Sequence, residues 1–129
     1  SKKIALVFGG SRGIGAACVD ALAEDGYEVA YTYVSSKPSG GKGKAYQVEI
    51  TDAAQVTGVF AEVAKDLGGA PACVVANAGI TALGSFDDTP DDVFERVVDV
   101  NLHGAVRTLR PTLTEPRSSS GTSSFCSWV

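Results

Sequence analysis

Residues Gly9, Gly10, Ser11, Arg12, Gly13, Ile14 and Gly15 have the types and spacing of an anion cradle. The apolar run Ile4-Ala5-Leu6-Val7-Phe8 precedes them, and residues with helical periodicity follow. A strand must therefore turn into a helix at this point. Such a turn leaves the first helical N–H groups without partners and aims the positive end of the helix dipole at one spot. A pyrophosphate satisfies both. Gly9 would permit the tight turn, Gly13 the close approach of a phosphate, and Gly15 close packing of helix on strand. The plainer alternative is a tight turn that holds no ligand.

The end of the second strand decides which dinucleotide suits the cradle. An acid about twenty residues beyond the glycines would hold the ribose hydroxyls of NAD. That region reads Tyr31-Thr32-Tyr33-Val34-Ser35-Ser36-Lys37, without an acid. A guanidinium at Arg12, helped by Ser35, Ser36 or Lys37, would suit a 2′-phosphate, so NADP(H) is favoured over NAD(H). The competing reading of Arg12 is a solvated loop charge.

Several elements must position this loop. Lys3–Phe8 reads as a strand buried on both faces. A helix from Gly13 to Asp25 carries Ile14, Ala17, Cys18, Ala21 and Leu22 at helical spacing and stops at Gly26. Glu28–Tyr33 is a β-branched and aromatic second strand. Residues 35–44 are rich in Ser, Pro, Gly and Lys and read as loop. Ala45–Ile50 is a third strand. Asp52 caps a helix to Leu67, with Val56, Val59, Phe60, Val63 and Leu67 on one side and Gly68 at its end. Ala72–Ala76 is a fourth, buried strand. Thr89, as cap, and Pro90, as first residue, open a last helix. Its expected apolar stripe is Phe94, Val97, Val98, Leu102, Val106 and Leu109, and Pro111 should kink or end it. The repeated strand–helix–strand order predicts an α/β fold with a doubly wound parallel sheet, truncated after the fourth strand and the helix that follows it. Residues 1–115 read as one domain, and 116–129 as an irregular Ser-rich tail.

Composition agrees with a globular domain: 44% hydrophobic, 20% charged and a net charge of −4. The acidic balance argues against nucleic-acid binding. The Lys37, Lys42 and Lys44 cluster reads as a solvated loop. No apolar run is long enough to span a bilayer, and the start Ser1-Lys2-Lys3-Ile4 does not read as a signal peptide. The three cysteines, Cys18, Cys73 and Cys126, match neither a metal site nor a redox pair, so a reducing cytoplasm is the expected compartment. Cys18 and Cys73 read as small core residues. His103 reads as a surface or partly packed histidine, with no metal expected.

Three segments taken together resemble the short-chain dehydrogenase/reductase family, in particular its 3-oxoacyl-carrier-protein-reductase-like members. Gly9, Gly13 and Gly15 resemble its Gly-x-x-x-Gly-x-Gly loop. Ala76-Asn77-Ala78-Gly79 resembles its Asn-Asn-Ala-Gly motif after the fourth strand. Val100-Asn101-Leu102 resembles the segment around the helical Asn of its catalytic tetrad. The likeness spans residues 3 to about 113. It implies a Rossmann-type fold and reversible hydride transfer between NADP(H) and a carbonyl or alcohol substrate. It also implies that Gly9, Ser11, Arg12, Gly13, Ile14 and Gly15 contact the cofactor phosphates and ribose. Glu49 and Ile50 would border the adenine. Asn77, Ala78 and Gly79 would line the nicotinamide ribose and brace the sheet, and Asn101 would hold a water in a proton relay. On their own, Asn77 to Gly79 read equally as a strand-ending turn, and Asn101 as a polar residue on an exposed helix face. A homo-oligomer through the Pro90–Leu113 helix is a further implication.

Four departures from the family pattern bear on activity. Phe8 stands where the family usually has Thr, so a loop-tying hydroxyl is missing. Ala76 replaces the first Asn. Only residues 34–44 join the second and third strands, where the family carries a helix. That link can reach, at about 3.3 Å per residue, but cannot also cover the sheet face, and an uncovered apolar face invites association. Finally, the family's catalytic Tyr-x-x-x-Lys helix has no counterpart, and Ser124 is the best match to the catalytic Ser. Tyr33…Lys37 spells the motif by chance, because its Tyr ends a strand and Pro38 follows the Lys. These 129 residues are therefore expected to be catalytically incomplete. The alternatives are a non-catalytic dinucleotide-binding remnant that senses cofactor or partners an intact homologue, or an ordinary reductase of which these residues are only a part.

Overall fold

A computed structural model describes residues 2–35, 41–80, 84–114 and 124–127, with only the backbone at 113–114 and 124–127. Five strands form one sheet in the order β3-β2-β1-β4-β5, and every pairing is parallel. They are β1 (Ile4–Phe8), β2 (Glu28–Tyr33), β3 (Lys44–Gln47), β4 (Cys73–Ala76) and β5 (Ser124–Ser127). The chain leaves β1 toward β2 and β3, then crosses back to β4 on the other side. That reversal opens a crevice at the carboxyl ends of β1 and β4.

Side chains alternate along β1, so it feeds two cores. Ala5 and Val7 join Val29, Tyr31 and Val75 under Val19 of α1 (Gly13–Glu24). Leu6 and Phe8 join Ala30 and Val74 under Val56, Val59, Phe60 and Val63 of α2 (Ala53–Leu67). The doubly wound architecture is thus as the periodicity predicts. The ends of α2 also match: Asp52 Oδ1 accepts from the Ala54 and Gln55 N–H groups at 3.0 and 3.4 Å, and Gly68 closes the helix at φ 87°.

The details differ in several places. Residues 124–127 are not irregular but form β5, level with Cys73–Ala76 of β4. The open hydrogen-bonding edge of β4 selects this segment, which a Ser-rich composition conceals. β3 is shorter than expected. Val48 still donates to the Tyr33 carbonyl at 3.0 Å, but Glu49 and Ile50 leave the ladder. In α1 the buried positions are Gly15 and Val19, while Ile14 is 58% exposed.

The last helical stretch is α3 (Asp91–Val98), a π-turn (Asp99–His103) and α4 (Gly104–Thr114). Pro90, not Thr89, is the N-cap, and it supplies no side-chain bond. The Thr89 hydroxyl instead donates to the Ser85 carbonyl at 2.8 Å, closing the turn over Phe86–Asp88. The buried stripe is Val100, Gly104, Thr108 and Thr112, whereas Phe94, Leu102 and Val106 are exposed. This helix has two apolar faces, and periodicity cannot tell which one meets the sheet. Pro111 lies inside α4 without ending it. Only one i→i−4 bond is lost there, and the Thr112 hydroxyl donates to the Thr108 carbonyl at 2.7 Å beside it.

The face of β3 toward α1 is not a bare apolar surface. It carries half-buried Ala45 and exposed Gln47. The Gln47 amide donates to the Val34 carbonyl at 2.9 Å. Next to Ala45, the Tyr31 ring lies so close to Gly43 that a Cβ there would stand 3.2 Å from it.

Candidate functional site

The crevice predicted by the strand order is a cleft of about 530 Å³. One wall is the glycine loop, with Gly9, Ser11, Arg12 and Gly13. The second strand contributes Val34 and Ser35, the segment after β3 contributes Glu49 and Ile50, and the segment after β4 contributes Asn77, Ala78 and Gly79. Ten of the twelve expected cofactor residues therefore share one cavity. Ile14 and Gly15 do not line it; Ser36 and Lys37 fall outside the described residues.

The three glycines have three different reasons. Gly9 adopts φ 78°, which an L side chain resists, and a Cβ would sit 3.0 Å from the Ala78 Cα. Gly13 has φ 59°, and a Cβ there would meet nothing within 4 Å, so its surface is open to a ligand. Gly15 is forced by packing, since its Cβ would lie 2.0 Å from the Gly9 carbonyl oxygen.

The loop is tied down by groups from two neighbouring strands. The buried Thr32 hydroxyl accepts from the Gly9 N–H at 3.0 Å, and the Thr32 carbonyl accepts from Gly10 at 3.1 Å. The hydroxyl that Phe8 lacks is thus supplied from β2. No local pattern in the sequence marks Thr32 for this role, which follows from the register that sets Val7 level with Tyr31. From β4, Asn77 Nδ2 donates to the Gly9 carbonyl at 3.3 Å. Asn77 therefore braces the loop as well as ending the strand.

The start of α1 fits a phosphate. Arg12 is its N-cap, no side chain caps it, and its first turn holds no acid. Gly13 at its start lines the cleft, and no carboxylate in the first turn competes for the positive dipole. The exposed Arg12 side chain makes no ion pair among the described residues.

The opposite wall is made of side-chain contacts. Glu49 Oε1 accepts from the Thr51 N–H at 3.3 Å, the Thr51 hydroxyl at 3.0 Å and Arg96 Nη2 at 3.3 Å; Oε2 is 3.4 Å from the same nitrogen. Burial pushes the Glu49 carboxyl upward, but the Thr51 bonds and the Arg96 guanidinium outweigh it and hold it below the usual range. Arg96 lines the cleft and was not singled out from the sequence.

Asn101 sits in the middle of the π-turn. Its Oδ1 accepts from the Ile80 N–H and its Nδ2 donates to the Ile80 carbonyl, both at 2.9 Å. An amide side chain here completes a pairing that backbone would make in a sheet. It ties the helix to the segment that carries Asn77–Gly79. Arg107 pins the same turn, donating to the Asp99 carbonyl and the Ile50 carbonyl at 3.2 Å and to Asp99 Oδ1 at 2.6 Å. That guanidinium lowers the Asp99 carboxyl pKa. Gly104 lets the helix approach, for a Cβ would stand 2.9 Å from Ile50 Cγ1. His103 is exposed, with Nδ1 3.3 Å from Asp99 Oδ1, and no metal-binding group of residues occurs among the described residues.

Ser124 and Asn101 are not brought together. The backbone of Ser124 is level with Cys73, three residues short of the carboxyl end of β4 at Ala76. At about 3.3 Å per residue that is roughly 10 Å from the cleft end of the strand. Burial raises the Tyr31 phenol, with Tyr33 adding to it, and burial together with the Asp66 hydrogen bond raises Tyr46.

Comparison with known proteins agrees with this geometry. The short chain dehydrogenase family model matches residues 3–122. An acetoacetyl-CoA reductase of Synechocystis sp. is 38% identical over 110 residues, covering 84% of this chain and 45% of the relative. A probable NADP-dependent mannitol dehydrogenase of Yarrowia lipolytica is 37% identical over 116 residues, covering 80% and 41%. A short chain dehydrogenase from Burkholderia cenocepacia, solved in complex with NADP, superposes with a TM-score of 0.77 at 34% identity, covering 84% of this chain and 49% of that one. The chain spans about half the length of the relatives it matches. No helix among the described residues is long and apolar enough to cross a membrane. With its glycine loop, its Asn77–Gly79 segment and its Asn101 turn on one parallel sheet, the chain belongs to the short chain dehydrogenase family.

Proposed function

We propose that these residues form the NADP(H)-binding half of an oxidoreductase that acts on a carbonyl or alcohol. The observation that carries this reading is the start of α1: uncapped, free of acids, and opening on the cleft beside Gly13. Ser11, Arg12 and Gly13 would meet the phosphates there, with Gly9 and Gly15 shaping the turn. Ile14, at the exposed first turn, would touch the cofactor only from outside the cleft. Arg12 and Ser35 would hold a 2′-phosphate, because the guanidinium has no acid to pair with at the end of β2. Glu49 and Ile50 would border the adenine, and Asn77, Ala78 and Gly79 the nicotinamide ribose. The bound cofactor would supply the hydride. Asn101 would position the nicotinamide end through Ile80. The NADP complex of the Burkholderia cenocepacia protein and the NADP-dependence in the name of the Yarrowia lipolytica relative support the choice of cofactor.

Titration of the 129-residue chain with NADPH and NADH tests the reading. NADPH should bind at least about tenfold more tightly, the scale of one charge-assisted contact. Arg12→Ala should erase most of that difference. Absence of binding to either cofactor would overturn the proposal. No turnover is expected with a diketone or 3-oxoacyl substrate, because these residues offer no tyrosine–lysine pair on a helix. The exposed stripe of Phe94, Leu102 and Val106 would face a second subunit. Phe94→Glu combined with Leu102→Glu should then convert a sedimenting dimer to monomer.

A further inference from the structure

We infer that Thr32 is a positioning residue for the cofactor: it holds two successive N–H groups of the glycine loop and so fixes the backbone that would meet the pyrophosphate. The inference rests on the cofactor reading above and deepens it. It makes affinity for either dinucleotide depend on a buried residue of β2.

Phe8, the residue before the loop, has no polar group to steady it. Its ring is fully buried and lies 5.9 Å from that of Phe60, centroid to centroid. Thr32 acts instead from the neighbouring strand. Its hydroxyl accepts from the Gly9 N–H and its carbonyl from the Gly10 N–H. Tyr31 adds the close fit, since a Cβ on Gly10 would stand 2.5 Å from the Tyr31 Cβ. The end of β2 is thus the seat on which Gly9 and Gly10 rest.

The effect of this seat extends to the start of α1. The Gly9 carbonyl accepts from Asn77 Nδ2, and Gly15 is packed against the same carbonyl. Gly9 stands at φ 78°, with no side chain to restrict it. Without the Thr32 hydroxyl, the Gly9 N–H loses its acceptor, and a part-buried donor left unpaired is costly. The peptide before Gly9 would turn toward another partner, and glycine freedom permits that turn. The first turn of α1 packs on the same glycine and would shift with it. A backbone surface whose geometry is no longer preset binds more weakly. The pyrophosphate is common to NADPH and NADH, so both should weaken alike. Arg12→Ala, by contrast, should weaken mainly NADPH.

The test measures the affinities of Thr32→Ser, Thr32→Cys and Thr32→Val for NADPH and NADH. Cofactor fluorescence reads binding, and circular dichroism establishes that each variant is folded. Thr32→Ser keeps the acceptor and should bind both cofactors within about twofold of wild type. Thr32→Val should bind both about five- to tenfold more weakly, with the ratio between them unchanged. Thr32→Cys, whose sulfur is a weaker acceptor, should fall between, and it carries the comparison if the Val variant does not fold. Wild-type affinity in the folded Val variant, or in Thr32→Cys where Val does not fold, would mean that Thr32 serves the fold alone and would overturn the inference. A loss confined to NADPH would overturn it too, because Thr32 would then act at the 2′-phosphate. Both results leave the cofactor reading intact. Failure of wild type to bind either cofactor would sink that reading and the inference together.

Discussion

The glycine loop and the wall opposite it line the same cleft, but backbone atoms make the first and side chains make the second. In the loop, the backbone at the start of α1 is the surface proposed to bind, and Thr32 and Asn77 hold that backbone in place. In the far wall and behind it, Glu49 and Arg96, and then Asn101 and Arg107, reach between segments 21 to 57 residues apart. A backbone-built surface has little freedom, because glycines fix its shape. A wall of paired side chains can be adjusted one contact at a time. The first wall is therefore expected to tolerate almost no change, and the second graded change.

The sharpest contrast lies inside the loop. Gly15→Ala drives a methyl into the Gly9 carbonyl, which should cost about 3 kcal/mol or more and lower the thermal midpoint by roughly 10 °C. A midpoint within a few degrees of wild type would show that the loop has more give than its packing implies. Asn101→Ala, behind the far wall, removes both bonds to Ile80. It should cost about 2 kcal/mol in urea denaturation, with Asn101→Asp losing roughly half as much. Thr32→Val leaves the Gly9 N–H without its acceptor and should cost about 1–2 kcal/mol, while Thr32→Ser should cost far less.

Gly13→Ala meets no atom but must adopt a positive φ, so its stability cost should be near 1 kcal/mol. Its effect on NADPH affinity should be larger than its effect on folding, the reverse of Gly15→Ala. If both variants lose stability and binding in the same ratio, the distinction between packing glycine and ligand glycine fails.

The smallest effect concerns pH. The Glu49 pKa is lowered in the fold, so its contribution is fully present above the unfolded-state pKa. It is lost as pH falls through the lower folded value. Urea midpoints of wild type should therefore drop more steeply below the ordinary glutamate range than those of Arg96→Gln. Parallel curves would mean that Arg96 contributes nothing to the ionised state of Glu49.

The residues differ in how legible they are. Gly9, Gly13 and Gly15 announce the loop because a strand-to-helix turn needs glycine at fixed offsets. Asp52 and Gly68 announce the ends of α2 because caps are local chemistry. Thr32, Arg96 and Arg107 are silent, because each acts on a partner far along the chain. The stripe of the last helix misleads for a related reason. Phe94, Leu102 and Val106 look like a core face by spacing, but Val100, Gly104 and Thr108 face the sheet. Gly104 is there because Ile50 stands against it, and no local pattern encodes that approach.

By itself the sequence determined the parallel α/β order, the phosphate-type loop and ten of the residues that gather in the cleft, because strand periodicity, glycine conformation and helix caps act within a few residues. Only the tertiary structure decided which helix face is buried, that Ser124–Ser127 joins the sheet beside β4, and that Thr32, Arg96 and Arg107 hold the cleft together. Those outcomes depend on register and on contacts between distant segments, which exist only once the chain has packed.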